Sequence, residues 1–159
     1  MHISIMNPLR IFLLAALVLV VFGIGNAEAK ESKWDYTSDA ISRSVAISSD
    51  GNYEVSGHWD GRVVFFQKSS NVPLWEYDTG SGVFSVAISK DGNYTVAGTR
   101  DDKVVLFSKL SEEPLWEFEA EKAVISVDIS DNGNLIVAGS EDNKVYLLHK
   151  NSSTPEWYY

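Results

Sequence analysis

The sequence predicts an all-β chain in which one four-stranded antiparallel unit is written three times. Trp34, Trp75, Trp116 and Trp157 stand 41 residues apart. Between them lie short runs rich in Val, Ile, Tyr and Phe, residues that favour strands. The breaks between those runs carry the same turn residues in every copy.

The period divides the chain into units 34–74, 75–115 and 116–156, and residues 157–159 open a fourth. The first two units agree at 21 of 41 positions without a gap, and the second and third at 19. That agreement makes the period a true repeat, so it is interpreted before anything else. In the middle unit, Ser85-Val86-Ala87-Ile88-Ser89, Tyr94-Thr95-Val96-Ala97, Val104-Val105-Leu106-Phe107 and Leu115-Trp116-Glu117-Phe118 each read as a strand. No window past the amino end has the 3.6-residue stripe of a stable helix. Asp50-Gly51-Asn52, Asp91-Gly92-Asn93 and Asn132-Gly133-Asn134 predict the first hairpin turn of each unit, where glycine takes positive φ without steric cost. A second tight turn follows Gly57, Gly98 and Gly139, over "HWDG", "TRDD" and "SEDN". Pro73, Pro114 and Pro155 precede the last strand, whose first residue need not donate to the ladder.

Four short strands repeated at about 40–45 residues are the blade of a β-propeller. The Ser-Val-Ala-Ile-Ser strand is expected innermost, where small residues suit converging blades. The tryptophan strand is expected outermost, as the last strand of the preceding blade. Closed propellers have about four to eight blades, so three make an incomplete or open one. Each open end would leave apolar side chains wet, and a few hundred Å² at about 25 cal/mol per Å² rivals a domain's net stability. Three arrangements answer this: a fragment of a larger propeller, two chains associating through their open blade ends, or an open arc docked on another protein. Asp128 stands where the other units have Ala46 and Ala87, and Glu54 where they have Thr95 and Ile136. Asp128 fits an exposed terminal face or a polar lining of the axial channel, and polar residues in the outer units fit capping or decay after truncation alike.

At the amino end, Arg10 precedes an apolar run from Ile11 to Ile24, followed by Ala27-Glu28-Ala29. That order predicts a signal peptide over 1–29, cut after Ala29, with the repeat domain at 30–159 secreted or on the cell surface. The run is short for a spanning helix; only if retained does it give contact with a membrane, as an anchor. Asn93-Tyr94-Thr95 and Asn151-Ser152-Ser153 are glycosylation sequons in predicted turns.

Composition excludes more than it assigns. The 159 residues carry net charge -9, with 13 basic side chains against 22 acidic ones. Nucleic acid is therefore not an expected partner. The absence of cysteine excludes disulfides and thiol chemistry. His2, His58 and His149 are scattered, so no metal cluster is expected. No nucleophile–base–orienter set, phosphate-cradling glycine loop or calcium loop is present. The catalytic, cofactor and metal expectations are all none. Paired carboxylates brought together by the fold are the one chemistry that spacing cannot exclude.

"LWEYDTGSGVFSVAIS", "DGNYTVAG" and "DDKVVLF" resemble the WD40-like and quinoprotein-type (PQQ-like) repeats of secreted or surface proteins, particularly archaeal ones. The resemblance covers Trp34 to the end. It implies propeller blades, and a range of functions from scaffolds and binders to a minority of enzymes. Two departures bear on this. Gly57-His58-Trp59-Asp60 contains the letters of the intracellular WD40 signature, but aligns with Gly98-Thr99-Arg100-Asp101 as a turn variant. Quinone-dependent dehydrogenases imply a calcium site and a full disc of blades, and neither is visible.

The candidate contacts are therefore loops. His58, Trp59 and Asp60 in the first unit, Thr99, Arg100 and Asp101 in the second, and Glu141 and Asp142 in the third occupy the second turn. The bland alternatives are turn-capping for Asp60, Asp101 and Asp142, core packing for the periodic tryptophans, and a strand-end role for His149. Arg43, at the position of Phe84 and Ile125, marks an exposed loop face and nothing more. The expected function is an extracytoplasmic scaffold or protein-interaction module. A fragment of a quinoprotein-like dehydrogenase or propeller hydrolase is one alternative, and a structural remnant without activity is the other.

Overall fold

The computed structural model describes residues 34–159; the predicted signal segment lies outside the described residues. Those residues form three four-stranded antiparallel sheets, with no helix among them. The first comprises β1 (Ser42–Ile47), β2 (Tyr53–His58), β3 (Arg62–Gln67) and β4 (Trp75–Asp78). The second comprises β5 (Val83–Ile88), β6 (Tyr94–Thr99), β7 (Lys103–Ser108) and β8 (Pro114–Glu119). The third comprises β9 (Val124–Ile129), β10 (Leu135–Ser140), β11 (Val145–His149) and β12 (Ser152–Tyr158). Strands neighbour one another in chain order within each sheet. The described residues are all-β, and the sheets are stacked as blades of an open propeller.

Each blade starts from the same local chemistry. Gly51, Gly92 and Gly133 turn the first hairpin at φ +66°, +71° and +69°. The Ser48, Ser89 and Ser130 hydroxyls donate to Asp50, Asp91 and Asn132 at 2.6, 2.7 and 2.9 Å. Those same side chains accept the N–H of Asn52, Asn93 and Asn134 at 2.9, 3.0 and 3.0 Å. Local hydrogen bonds thus fix the turn before any blade meets another. Hydrogen bonds from Ser48 and Asn52 hold the Asp50 carboxyl below the usual carboxylate range.

Blades join through two cores. Val55, Val63, Phe65 and Trp75 of the first blade pack on Val83, Val86, Ala97, Val105 and Phe107 of the second. Val96, Val104 and Leu106 of the second pack on Val127, Ile136, Ala138 and Leu148 of the third. Alternation along each strand produces this: one set of side chains faces the preceding blade, the next set the following one. At the inner edge, the Ser44 hydroxyl accepts the Val86 N–H at 3.0 Å and Ser85 accepts the Val127 N–H at 3.2 Å. The serines read as small crowd-tolerant residues also satisfy the edge amides of the following blade. Gly98 sits so close to the third blade that a Cβ there would lie 2.8 Å from Val124 Cγ1. Gly139, its third-blade counterpart, has nothing within 4 Å.

The outer rim repeats one bond. Trp75 Nε1 donates to the Lys109 carbonyl at 3.3 Å and Trp116 Nε1 to the Lys150 carbonyl at 2.8 Å, so each ring reaches from its own blade to the next. Trp34 does the same to the Lys68 carbonyl at 2.8 Å, and Tyr36 donates to Glu76 as Tyr77 does to Glu117, both at 3.2 Å. Trp34 and Tyr36 therefore cover Phe66 of the first blade in the manner of an outer strand from a preceding blade. At the other end Trp157 pairs with Leu147, so β12 completes the third blade.

Both terminal faces are open among the described residues. On the first blade, Val45 and Ile47 are 73% and 59% exposed, and with Trp34, Tyr36, Glu54 and Phe66 they line a concavity of about 450 Å³. Their second-blade counterpart Val86 is buried. On the third blade, Leu135, Val137, Val145 and Trp157 are exposed, and Asp128 lies among them in solvent.

Candidate functional site

The β2–β3, β6–β7 and β10–β11 turns all fall at one end of the strands, together with the β4–β5 and β8–β9 connections. Every loop residue singled out in the sequence lies at this end, but burial separates them into two groups. His58 and Thr99 are 1% and 0% exposed. Trp59, Asp60, Arg100, Asp101 and Glu141 are exposed and Asp142 is half-buried.

The buried pair supports the face from beneath. Ser42 and Ser56 hydroxyls lie 3.3 Å from Nδ1 and 2.9 Å from Nε2 of His58. Thr99 does the same work by donating to Asp101 at 2.6 Å and accepting the Lys103 N–H at 3.1 Å. His58 is thus a satisfied interior group rather than a rim residue. Burial pushes its imidazole below the ordinary histidine range, with Asp60 opposing in part. A histidine depressed in the folded state contributes stability at high pH that is lost as pH falls below the unfolded value of about 6.5. His58→Thr, which installs the residue of the second blade, is expected to flatten the pH dependence of the melting temperature between about pH 7 and 5. Thermal melts across that range check it.

The recurrent aspartates close the turns, as their capping role requires. Asp60 holds Arg62 Nε at 2.8 Å, and Asp142 accepts the Lys144 N–H at 2.8 Å and the Tyr146 hydroxyl. Burial alone would raise the Asp142 carboxyl, but the bonds from Tyr146 and the Lys144 backbone hold it low. Tyr146 itself is pushed up, first by burial and then by Asp142. Residues at the last turn position, Gly61, Asp102 and Asn143, all take positive φ. The two sequons lie elsewhere. Asn93 is half-buried in a β5–β6 hairpin, with its side-chain amide bonded to Asp91, and Asn151 is exposed between β11 and β12. His149, at the end of β11, accepts the Asn151 N–H at 3.2 Å. Among the described residues no three His, Asp or Glu side chains converge as a metal site.

What converges is aromatic and cationic. The Trp59 ring lies 5.8 Å from the Phe84 ring. The Arg43 guanidinium lies over Trp59 at 5.2 Å and over Phe84 at 5.5 Å. Arg100 reaches the same Trp59 ring at 5.7 Å. Gly82, at the entry to β5, lets this happen, because a Cβ there would meet the Trp59 carbonyl at 3.0 Å and its ring at 3.5 Å.

The WD domain, G-beta repeat family model matches residues 34–67, 71–108 and 112–148. The chain belongs to the WD40 repeat family. The second and third matched stretches start in the segment that leads to an outer strand, the first starts at Trp34, and all three run into the three inner strands of a blade. No curated protein matches the chain. In this WD40 chain Gly57-His58-Trp59-Asp60 ends β2 and begins the β2–β3 turn, as the alignment with Gly98–Asp101 implied. Sequence reasoning named Trp59 and Arg100 separately, left Arg43 as a mere loop marker, and missed Phe84 and Gly82. The one available signal was positional: Arg43, Phe84 and Ile125 share a repeat position, as do Trp59, Arg100 and Glu141.

Proposed function

We propose that this WD40 chain is a protein-interaction scaffold that meets its partner with the face bearing the β2–β3, β6–β7 and β10–β11 turns. WD40 blades are a rigid frame for loops, and function resides in what those loops present. One observation carries the choice of face: Trp59, a large aromatic, is 44% exposed there, beside Phe84 and with Arg43 and Arg100 over its ring. Half-exposed aromatics flanked by arginines are the residue types over-represented in binding hot spots. The opposite face presents hairpins already closed on themselves by serine and aspartate.

The test places a photo-crosslinking amino acid at Asp60 or Glu141, and at Asn52 on the opposite face, in protein expressed in its source cells. Discrete protein adducts from the first two positions and none from Asn52 are expected. Equal adducts from both faces, or none from either, would contradict the choice. We further propose that the scaffold works outside the cytoplasm, on the strength of the apolar run Ile11–Ile24 followed by Ala27-Glu28-Ala29. Fractionation of the source cells decides this, with recovery in the cytoplasmic fraction contradicting it; the mass then separates cleavage, which leaves a chain beginning at Lys30, from a retained anchor.

A further inference from the structure

We infer that the Arg43–Trp59–Arg100 cluster is a binding site for an acidic protein segment, gripped by its Asp or Glu carboxylates. This rests on the scaffold reading and assigns the chemistry of its contact face.

The first ground is a pair of arginines without carboxylate partners on an acidic chain. Arg62, Lys90, Lys103 and Lys144 each have a carboxylate partner. Among the described residues neither Arg43 nor Arg100 has a carboxylate within 4.0 Å or a side-chain hydrogen bond to protein, and both are exposed. Among the described residues they are the two arginines without an ion pair, as four lysines also are, and they alone come from different blades to one ring. A chain of net charge -9 repels anions at long range. An anion held at this face is therefore held by close geometry.

The second ground is geometric. A guanidinium held beside an aromatic ring keeps N–H donors free, and their planar fork matches the two oxygens of a carboxylate. Contact with Trp59 at 5.2 and 5.7 Å also restricts two side chains that would otherwise lose rotamer freedom on binding, so less of the interaction is spent on ordering. Phe84 lies 5.8 Å from the indole and tilted by 47° to it, adding apolar surface for the peptide's own methylenes. The site differs from its counterpart in the third blade, where Ile125 and Glu141 replace Phe84 and Arg100. The cation pair is therefore specific to the junction between the first two blades.

Fluorescence anisotropy with a labelled eight-residue peptide alternating Glu and Gly tests the assignment. The comparison probes are the same peptide with Gln for Glu, with phosphoserine for Glu, and an oligothymidylate of matched length. Saturable binding of the Glu peptide is expected, with the Gln peptide at least about tenfold weaker, the scale of a charge-assisted bond. Arg43→Gln and Arg100→Gln should each weaken it by about tenfold, and the double variant should abolish it. Arg100→Lys should restore only part, because the charge returns without the fork. These side chains are exposed, so unchanged melting temperatures certify the fold. Equal binding of the Gln peptide, indifference to either arginine, or preference for the phosphoserine peptide or the oligonucleotide would overturn the inference. If crosslinks at Asp60 persist while the peptide arms fail, the scaffold reading survives and the acidic-segment assignment does not.

Discussion

Phe107→Ala is expected to cost about 3–5 kcal/mol, the range for emptying a fully buried aromatic site. Phe107 is 0% exposed and is the point where two blades lock. Trp75 lies 5.3 Å away and Tyr77 meets it edge-on at 5.1 Å, both from the outer strand of the first blade. Trp75 in turn stacks on Phe65 at 4.9 Å. Removing the ring therefore leaves a cavity walled by packed aromatics of the first sheet, which cannot easily close around it. Phe66→Ala is the informative partner. Phe66 has the same repeat position and is covered by Trp34 and Tyr36, but it borders the open concavity of the first blade. Water and side-chain relaxation can fill that space, so the loss should be clearly smaller. Equilibrium denaturation of the two variants checks the order; equal losses would mean that the first blade is not an open end.

Gly92→Ala is expected to be strongly damaging, more so than alanine at the equivalent Gly51. Its φ of +71° alone costs an alanine about 1–2 kcal/mol. Beyond that strain, the new Cβ would lie 2.5 Å from Cδ2 of Tyr53 in the preceding blade. Tyr53 has little freedom to retreat, with Phe65 stacked at 5.7 Å and the Lys109 ammonium over its ring at 4.7 Å. The clash should add about 1–3 kcal/mol, as overpacking does elsewhere. Gly51→Ala separates the two effects. Gly51 has the same φ, +66°, and its nearest contact for a Cβ is Ile47 at 4.0 Å. It should lose the strain alone. Paired denaturation curves measure the difference, and identical losses would show that the hairpin tip does not touch its neighbour.

Much of this fold was legible because its determinants are local and repeated. The Ser-x-Asp-Gly-Asn turns fix their hairpins with bonds between residues two to five apart. The short apolar runs "VFSVAI" and "KVVLF" marked two of the strands, and the 41-residue tryptophan spacing marked the outer strand one blade ahead of the inner ones. The candidate site was only half legible. Trp59 and Arg100 could be named as turn residues, but their meeting depends on the side-by-side packing of two blades and on the missing Cβ of Gly82. Arg43 enters the cluster from the inner strand, where spacing predicts direction only roughly because the ladder is bulged between Ser42 and Ser44. His58 misled for a related reason. A histidine in a turn reads as exposed, and only the convergence of Ser42 and Ser56 on its ring makes burial tolerable.

Native-state hydrogen exchange at three equivalent amides interrogates the stacking itself. Val45, Val86 and Val127 occupy one repeat position, with the last two bonded to the serine of the blade before. The N–H of Val45 has no such acceptor among the described residues. Val86 and Val127 should exchange only through large-scale opening, while Val45 exchanges faster by orders of magnitude. Protection at Val45 equal to that at Val86 would mean the first blade's face is closed, and fast exchange at all three would mean the sheets do not stack as blades.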